Sequence, residues 1–319
     1  RGDVFGRLEG GPGRRGVLGG GWIGCERAQG FARLGADVTQ VEKGPCLLGR
    51  EDEEVSALAR DALAADGVQV LTGHEALRCA NVGGVKTLVL AHQGIEKRIE
   101  FDQLLCAVGR AARLSGYGLE ELGISTERTV PTNDYLQTIY PNIYAAGDVA
   151  GPYQLTHVAA HQAWYAAVNA LFGEFRLFKA DYSVIPWTTF IDPEVARVGL
   201  SEAEAKEQGV AYEVTKYHID DLDRAIADSE ARGFVKVLTV PGKDKILGVT
   251  LVGTHAGDLL AEYVLAMRHG LGLNKILSTI HTYPTLSEAN KYAAGEWKRA
   301  HQPVRLLEWV RKYHDWKRS

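Results

Sequence analysis

The sequence predicts an α/β half followed by an α+β half. Three observations carry that prediction. Up to about residue 110, short apolar strand patterns alternate with helical periodicity, and a glycine-rich turn joins the first strand to the first helix. From about residue 182, strand patterns come in a run and helices follow them. The chain has 319 residues, enough for two or three domains. With 45 % apolar and 24 % charged residues it has an ordinary balance for filling cores. Its net charge of -4 gives no overall electrostatic reason for nucleic acid or an anionic membrane as a partner.

The elements follow in order. Residues 1–15 are rich in Gly and Arg and read as a loose lead-in. Residues 16–42 read as strand, glycine loop, helix and strand. Ile23, Phe31 and Leu34 suit one helix face, and Gly35 offers a left-handed stop. A second helix fits 53–66, and strands fit 68–71, 85–91 and 97–101, with 104–108 as a buried strand. A turn-rich stretch from about residue 113 leads to a helix of small residues at 157–172. Further strands fit 187–190, 196–200, 212–218, 234–240 and 246–252, and helices fit 256–269, 274–279 and 287–299. The tail at 300–319 reads as a helix laid on the protein surface, too short and too moderately apolar for a membrane anchor.

Of the four cysteines, Cys25, Cys46, Cys79 and Cys106, no two form a C-x-x-C or C-x-x-x-x-C pair, and no His stands beside them at metal-ligand spacing. Cys25 and Cys106 lie in apolar runs and read as small buried hydrophobes, so no redox role and no metal site is assigned. The start lacks the apolar stretch of a signal peptide, and no run approaches the ~20 residues that span a bilayer. The expected location is therefore cytoplasmic. The chain begins at Arg1 and its only methionine is Met267, so an N-terminal part is expected to precede it.

Gly19-Gly-Gly21-Trp-Ile-Gly24 is a G-x-G-x-x-G sequence between a strand and a helix, and the acid Glu42 ends the next strand. That context reads as a dinucleotide site rather than a structural turn. Gly19 allows the tight turn, Gly21 lets a pyrophosphate approach the backbone, and Gly24 lets helix and strand pack closely. The helix start then offers N–H groups and a positive dipole end to the phosphates. Glu42 suits ribose hydroxyls and repels a 2′-phosphate, which favours NAD over NADP, although Lys43 alongside leaves NADP open. The polar Arg14-Arg-Gly16 is unusual for such a first strand.

Three further segments carry a family resemblance. Leu105-Cys-Ala-Val-Gly-Arg110 resembles the strand that leaves the nicotinamide domain of pyridine nucleotide-disulfide oxidoreductases, with Gly109 in its turn. Asn142-Ile-Tyr-Ala-Ala-Gly147-Asp148 resembles their second flavin motif, and His281-Thr-Tyr-Pro-Thr-Leu-Ser-Glu288 resembles the C-terminal motif that one subunit presents to its partner. The resemblance implies a Rossmann-like nicotinamide domain at 1–112, a partial FAD domain at 113–180 and an α+β dimerisation domain at 181–319. It also implies FAD and NAD as cofactors, a homodimer and a small-molecule substrate. The first flavin glycine motif and the redox Cys-x-x-x-x-Cys of the family are absent from this sequence.

The same resemblance implies roles for single residues. Asp148 would hold the ribitol of FAD, where the bland reading is a helix N-cap. Leu155, Thr156 and His157 match the segment whose backbone passes the isoalloxazine ring, with His157 itself a helix-start residue. Glu26 would pair with a lysine near flavin N5; on its own it reads as a solvated helix acid. Trp22 stands where many relatives carry a tyrosine that gates the nicotinamide pocket, with packing as the alternative. Glu288 is kept from the proton-handling pair, but Tyr283 replaces the usual His before Pro284, and a phenol of pKa about 10 is no general base near neutrality. Mercuric reductases resemble the chain at that tyrosine and in Asp223-Arg-Ala225 followed by Arg232-Gly-Phe-Val-Lys236, yet their C-terminal vicinal cysteines are absent. Two other readings stay open: an NAD-binding fragment without redox activity, and a flavin-only NADH oxidase or diaphorase.

Overall fold

A computed structural model describes residues 13–318. The lead-in expected at 1–15 lies almost wholly outside them. The described chain divides into two units, one ending at Val108 and resuming at Thr188, the other Gly109–Trp187.

The first unit begins with β1 (Arg14–Leu18), α1 (Trp22–Arg33), β2 (Asp37–Val41), α2 (Glu53–Ala65), β3 (Gln69–Leu71), β4 (Glu75–Val82), β5 (Val85–His92), β6 (Ile95–Glu100) and β7 (Gln103–Cys106). A four-stranded sheet has the order β3-β2-β1-β7, and every pair in it is parallel. The polar start of β1 is explained by its partners: Arg14 pairs with Glu100 and Asp102 at the sheet end. Helix α1 stops as the glycine foresees. Gly35 has φ +90° and its N–H donates to Ala32 O at 2.9 Å. The buried face of α1 differs from the expected one. It is Gly24, Cys25, Ala28 and Gln29, whereas Leu34 is 67 % exposed. Close approach of helix to sheet selects small side chains over the larger ones at helical spacing.

Two more expectations fail in the same region. The strand read as buried at 104–108 is the edge strand β7, and both Cys106 and Val108 are exposed. An apolar run does not say whether a second neighbour strand exists. Strand β4 was not foreseen, because Glu75-Ala-Leu-Arg-Cys-Ala has a helix former's composition. Its hairpin decides it. Val82 opposes Val85, leaving Gly83 and Gly84 as a two-residue turn with φ +61° and +89°, the type I′ geometry that fits strand twist. Gln93 and Gly94 repeat the device between β5 and β6, closing an antiparallel sheet β4-β5-β6.

The second unit holds a 3₁₀ turn at Gly147–Val149 and α3 (Thr156–Phe172). After it come β8 (Pro186–Thr189), β9 (Glu194–Gly199), α4 (Glu202–Glu207), β10 (Glu213–His218), α5 (Asp223–Ala227), β11 (Phe234–Thr239) and β12 (Ile246–Gly253). Helices α6 (Ala256–Arg268), α7 (Leu273–Ser278), α8 (Glu288–Ala300) and α9 (Val304–Arg318) complete the chain. The sheet order β10-β11-β12-β9-β8 has antiparallel pairs from β10 through β9. The tail differs from a helix laid on the protein: α9 buries none of its side chains. No helix among the described residues is long and apolar enough to cross a membrane.

One core cluster of the first unit joins Val17, Cys25, Val38 and Leu63 to Ile191, Val195, Phe234 and Val252, and a second gathers Val41, Leu88, Leu90, Ile99 and Phe101. On the same faces of β9 and β11, two residues on from Val195 and Phe234, stand Arg197 and Lys236. Both side chains are 1 % exposed. They grip the segment that leads into α2. Lys236 Nζ lies 2.5 Å from Asp52, 2.7 Å from Glu54 and 3.0 Å from Glu202. Arg197 meets Glu51 at 2.9 Å and Glu204 at 2.5 Å, and donates to Arg50 O at 3.1 Å. Asp52 in turn accepts from Ala203 N at the start of α4, where Ser201 and Glu204 form a capping box.

These ion pairs set an acid limit. Burial alone would raise the carboxyls of Asp52, Glu54 and Glu204, but hydrogen bonds from Lys236, Lys216 and Arg197 carry all three below their usual range. A carboxyl depressed in the folded state binds its proton more readily when unfolded. Its stabilisation is complete above about pH 4–5 and is lost as pH falls through the folded values. Thermal melts are expected to be level from neutral pH to about 5 and to drop steadily below about 4. An Asp52→Asn protein should start lower and show a shallower acid drop; an equally steep one would contradict the assignment.

Candidate functional site

The turn between β1 and α1 is built as the glycine spacing requires. A Cβ on Gly19, whose φ is +116°, would meet Ala107 O at 2.4 Å, and one on Gly24 would meet Gly19 O at 2.0 Å. Both positions therefore exclude any side chain. Gly21 is the opposite case: a Cβ there meets nothing within 4 Å, and its backbone is extended at φ -75°, ψ 178°. The loop is thus closed beneath and open above. Gly21 caps α1 without a side-chain bond, and no acid stands in the first turn, which suits an anion at the exposed N–H groups.

Glu42 hangs across this loop. Its Oε2 accepts from Gly20 N and its Oε1 from Gly44 N, each at 2.5 Å. Each carboxylate oxygen has a second lone pair for a hydroxyl. Gln40 Nε2 donates to Gly19 O at 3.0 Å and ties the same loop from below. Lys43, adjacent in sequence, turns to Glu75 at 2.8 Å. Cys25 beneath the loop is buried, which pushes its thiol up to about 12, so it is a packing residue and no nucleophile.

Trp22 opens α1 and is 42 % exposed at the loop's free side. One turn on, Glu26 is half-buried and its Oε1 accepts from Phe190 N at 3.0 Å. Burial raises its carboxyl above the ordinary range, against the pull of that hydrogen bond and of Arg27. Gly109, with φ +136°, opens the second unit.

Within that unit, Gly147 has φ +82° and its N–H donates to Gln162 at 2.6 Å. The next residue, Asp148, pairs with Arg110 at 3.0 Å, which brings the resemblance's strand-end arginine and flavin-motif aspartate together. Leu155 caps α3 with no side-chain bond, Thr156 begins the helix, and His157 binds Pro186 O through Nε2 at 2.8 Å. His157 is held by backbone at the helix start.

The C-terminal motif forms a different cluster. Tyr283 is exposed and donates to Asp223 Oδ2 at 2.8 Å. That hydrogen bond, with the negative charge behind it, raises the phenol above its usual value, so it is a donor and not a base. Glu288 is 6 % exposed; its Oε2 accepts from Thr285 N at 3.2 Å and its Oε1 from Tyr292 at 3.1 Å. The two motif residues face different partners. His281 lies against Glu262 at 3.0 Å. Asp223 was marked only within the resembling segment Asp223-Arg-Ala225 and not as the partner of Tyr283, and Tyr292 was not singled out at all.

The matches with known families fall on this geometry. Residues 5–163 match the pyridine nucleotide-disulphide oxidoreductase family, and residues 185–294 match the dimerisation domain of the same enzymes. The chain belongs to this family. It is 39 % identical over 290 residues to a dihydrolipoyl dehydrogenase of Thermus scotoductus, covering 90 % of the chain and 62 % of that protein. A dihydrolipoyl dehydrogenase of Chlamydia muridarum is 35 % identical over 279 residues, 87 % of the chain and 58 % of the relative. Among solved structures, the Cu(II) complex of the flavoprotein disulfide reductase RclA from Escherichia coli superposes with TM-score 0.83 at 27 % identity, over 90 % of the chain and 65 % of RclA. LpdA from Mycobacterium tuberculosis gives 0.81 at 26 %, over 90 % and 62 %. The chain thus spans about three fifths of the length of the relatives it matches. Members of the family contain FAD and use NAD(P)H.

Proposed function

We propose that the chain supplies the nicotinamide-binding, partial flavin-binding and dimerising parts of an FAD-dependent NAD(P)H oxidoreductase, at 1–112, 113–180 and 181–319. The observation that carries this reading is the turn closed at Gly19 and Gly24 and open at Gly21, with the Glu42 carboxylate stretched across it. Gly20, Gly21 and the start of α1 take the pyrophosphate, and Glu42 takes the adenosine ribose. NAD is favoured over NADP, because a 2′-phosphate would meet the carboxylate while Lys43 is engaged by Glu75. Gly147, Asp148 and the uncapped start of α3, with Leu155, Thr156 and His157, suit the ribitol and ring edge of FAD.

A flavin held there would supply the redox chemistry that links the nicotinamide to a disulfide or metal acceptor or, in the reverse direction, to a dithiol donor. In the first unit the side chains position and shield the nucleotide. Trp22 covers the open side of the nicotinamide pocket. Glu26, with its raised carboxyl, presents an acid suited to a cationic partner from the flavin-domain part that the relatives carry beyond this chain's span. Tyr283, whose single hydroxyl hydrogen is held by Asp223, stands ready to face the acceptor side of the partner subunit in a homodimer.

The test is anaerobic addition of NADH to the purified protein. Bleaching of a yellow flavin band supports the reading. A colourless protein that binds NADH would reduce the chain to a nucleotide-binding module. Oxidation of NADH by oxygen or dye that survives thiol alkylation would make it an oxidase or diaphorase. Cofactor choice is checked with Glu42→Ala: the Kd for NADH should rise about tenfold, the worth of one hydroxyl bond to a charged group, and that for NADPH should not rise.

A further inference from the structure

Helix α9 lies beyond residues 185–294, the stretch that matches the family's dimerisation domain. It has about four turns and none of its side chains is buried. At about 100° per residue its residues sort into two faces. Trp309, Tyr313 and Trp316 share one stripe, with ring centroids 6.0 Å and 6.2 Å apart along it, and Leu306, Val310 and Leu307 extend that face. Trp309 and Trp316 are 64 % and 73 % exposed.

The charges on the other face are sorted as well. Arg305 and Lys312 flank the apolar face on one side and Arg311 and Arg318 flank it on the other, while Glu308 and Asp315 lie at the middle of the polar face. Val304 at the start and Lys317 in the last turn depart from the sorting. From Val304 to Arg318 five basic residues outweigh two acidic ones, a local charge of +3 in a chain of net -4.

We propose that α9 docks this protein on an anionic phospholipid surface, lying in the plane of the headgroups. The apolar face with its Trp and Tyr rings suits the headgroup and acyl boundary, where an amphipathic ring has one side apolar and one side wet. The flanking arginines and lysine bury their stems along that boundary and carry their charges to the lipid phosphates. The acids point away, into water. A helix built to pack on a second protein copy has no need of cations on both borders and acids at the centre. The proposal is independent of the redox reading, because it rests on residues outside the nucleotide loop and beyond the stretch 185–294 that matches the family's dimerisation domain.

The experiment is co-sedimentation of the intact chain with vesicles of phosphatidylcholine, with and without phosphatidylserine. Binding to the anionic vesicles is expected, falling about tenfold without phosphatidylserine or in high salt. A Trp309→Asp/Trp316→Asp protein and an Arg305→Glu/Arg311→Glu protein should each lose binding while melting as the parent does, since the replaced side chains are exposed. Absence of binding to anionic vesicles would overturn the proposal. So would binding that both variants retain, or a wild-type oligomer that the tryptophan variant dissociates, which would make a second copy the occupant of this face.

Discussion

Replacing Gly21 by valine is expected to remove NADH binding while leaving the melting temperature where it is. The two halves of that result come from different measurements on the same position. Gly21 has an extended backbone that any residue adopts, and a Cβ there meets no protein atom within 4 Å. Stability should therefore change by no more than about 0.5 kcal/mol. The space the new methyls fill is the space through which a pyrophosphate would reach the N–H groups of α1. Holding it a side chain's width away should weaken NADH by about 100-fold, which is about 2.7 kcal/mol. Gly24→Ala is the contrasting control. Its Cβ would sit 2.0 Å from Gly19 O, so it should lose binding and stability together. A Gly21→Val protein that still binds NADH as the parent does would move the nucleotide off this loop.

The largest loss of stability is expected from Lys236→Met. The ammonium is 1 % exposed and has three carboxylates within 3.0 Å, which raises its pKa despite the burial. Methionine fills the volume but leaves Asp52, 9 % exposed, without its cation. Breaking a buried pair from one side costs about 3–5 kcal/mol, because the remaining charge stays desolvated. Calorimetry should show a melting temperature lower by roughly 10 °C. Adding Asp52→Asn and Glu54→Gln to Lys236→Met should recover much of the loss, since the stranded charges are then gone. A Lys236→Met protein as stable as the parent would mean that the segment before α2 is held by apolar packing alone.

How far the sequence reaches is visible in the same residues. The turn at 19–24 and the Gly35 stop were legible because each is a backbone requirement expressed within a few positions. The order of β and α elements was legible for the same local reason. Lys236 and Asp52 were not, since 184 residues separate them and nothing local marks a charge destined for burial. Tyr283 and Asp223, 60 residues apart, are a second such pair. Leu34 and Cys106 mislead in the other direction. Both look like core by composition, yet one ends a helix in water and the other lies on an edge strand. Strand β4 shows a local signal outweighed by composition: its two-glycine turn was in plain sight, and helix-forming residues hid it.

The measurement that bears most directly on the central claim is a crystal structure of the protein with NAD⁺ bound. The pyrophosphate is expected over Gly21 at the start of α1, and the adenosine ribose hydroxyls on the Glu42 carboxylate. Density for the dinucleotide elsewhere, or a ribose that leaves Glu42 bound only to Gly20 and Gly44, would contradict it.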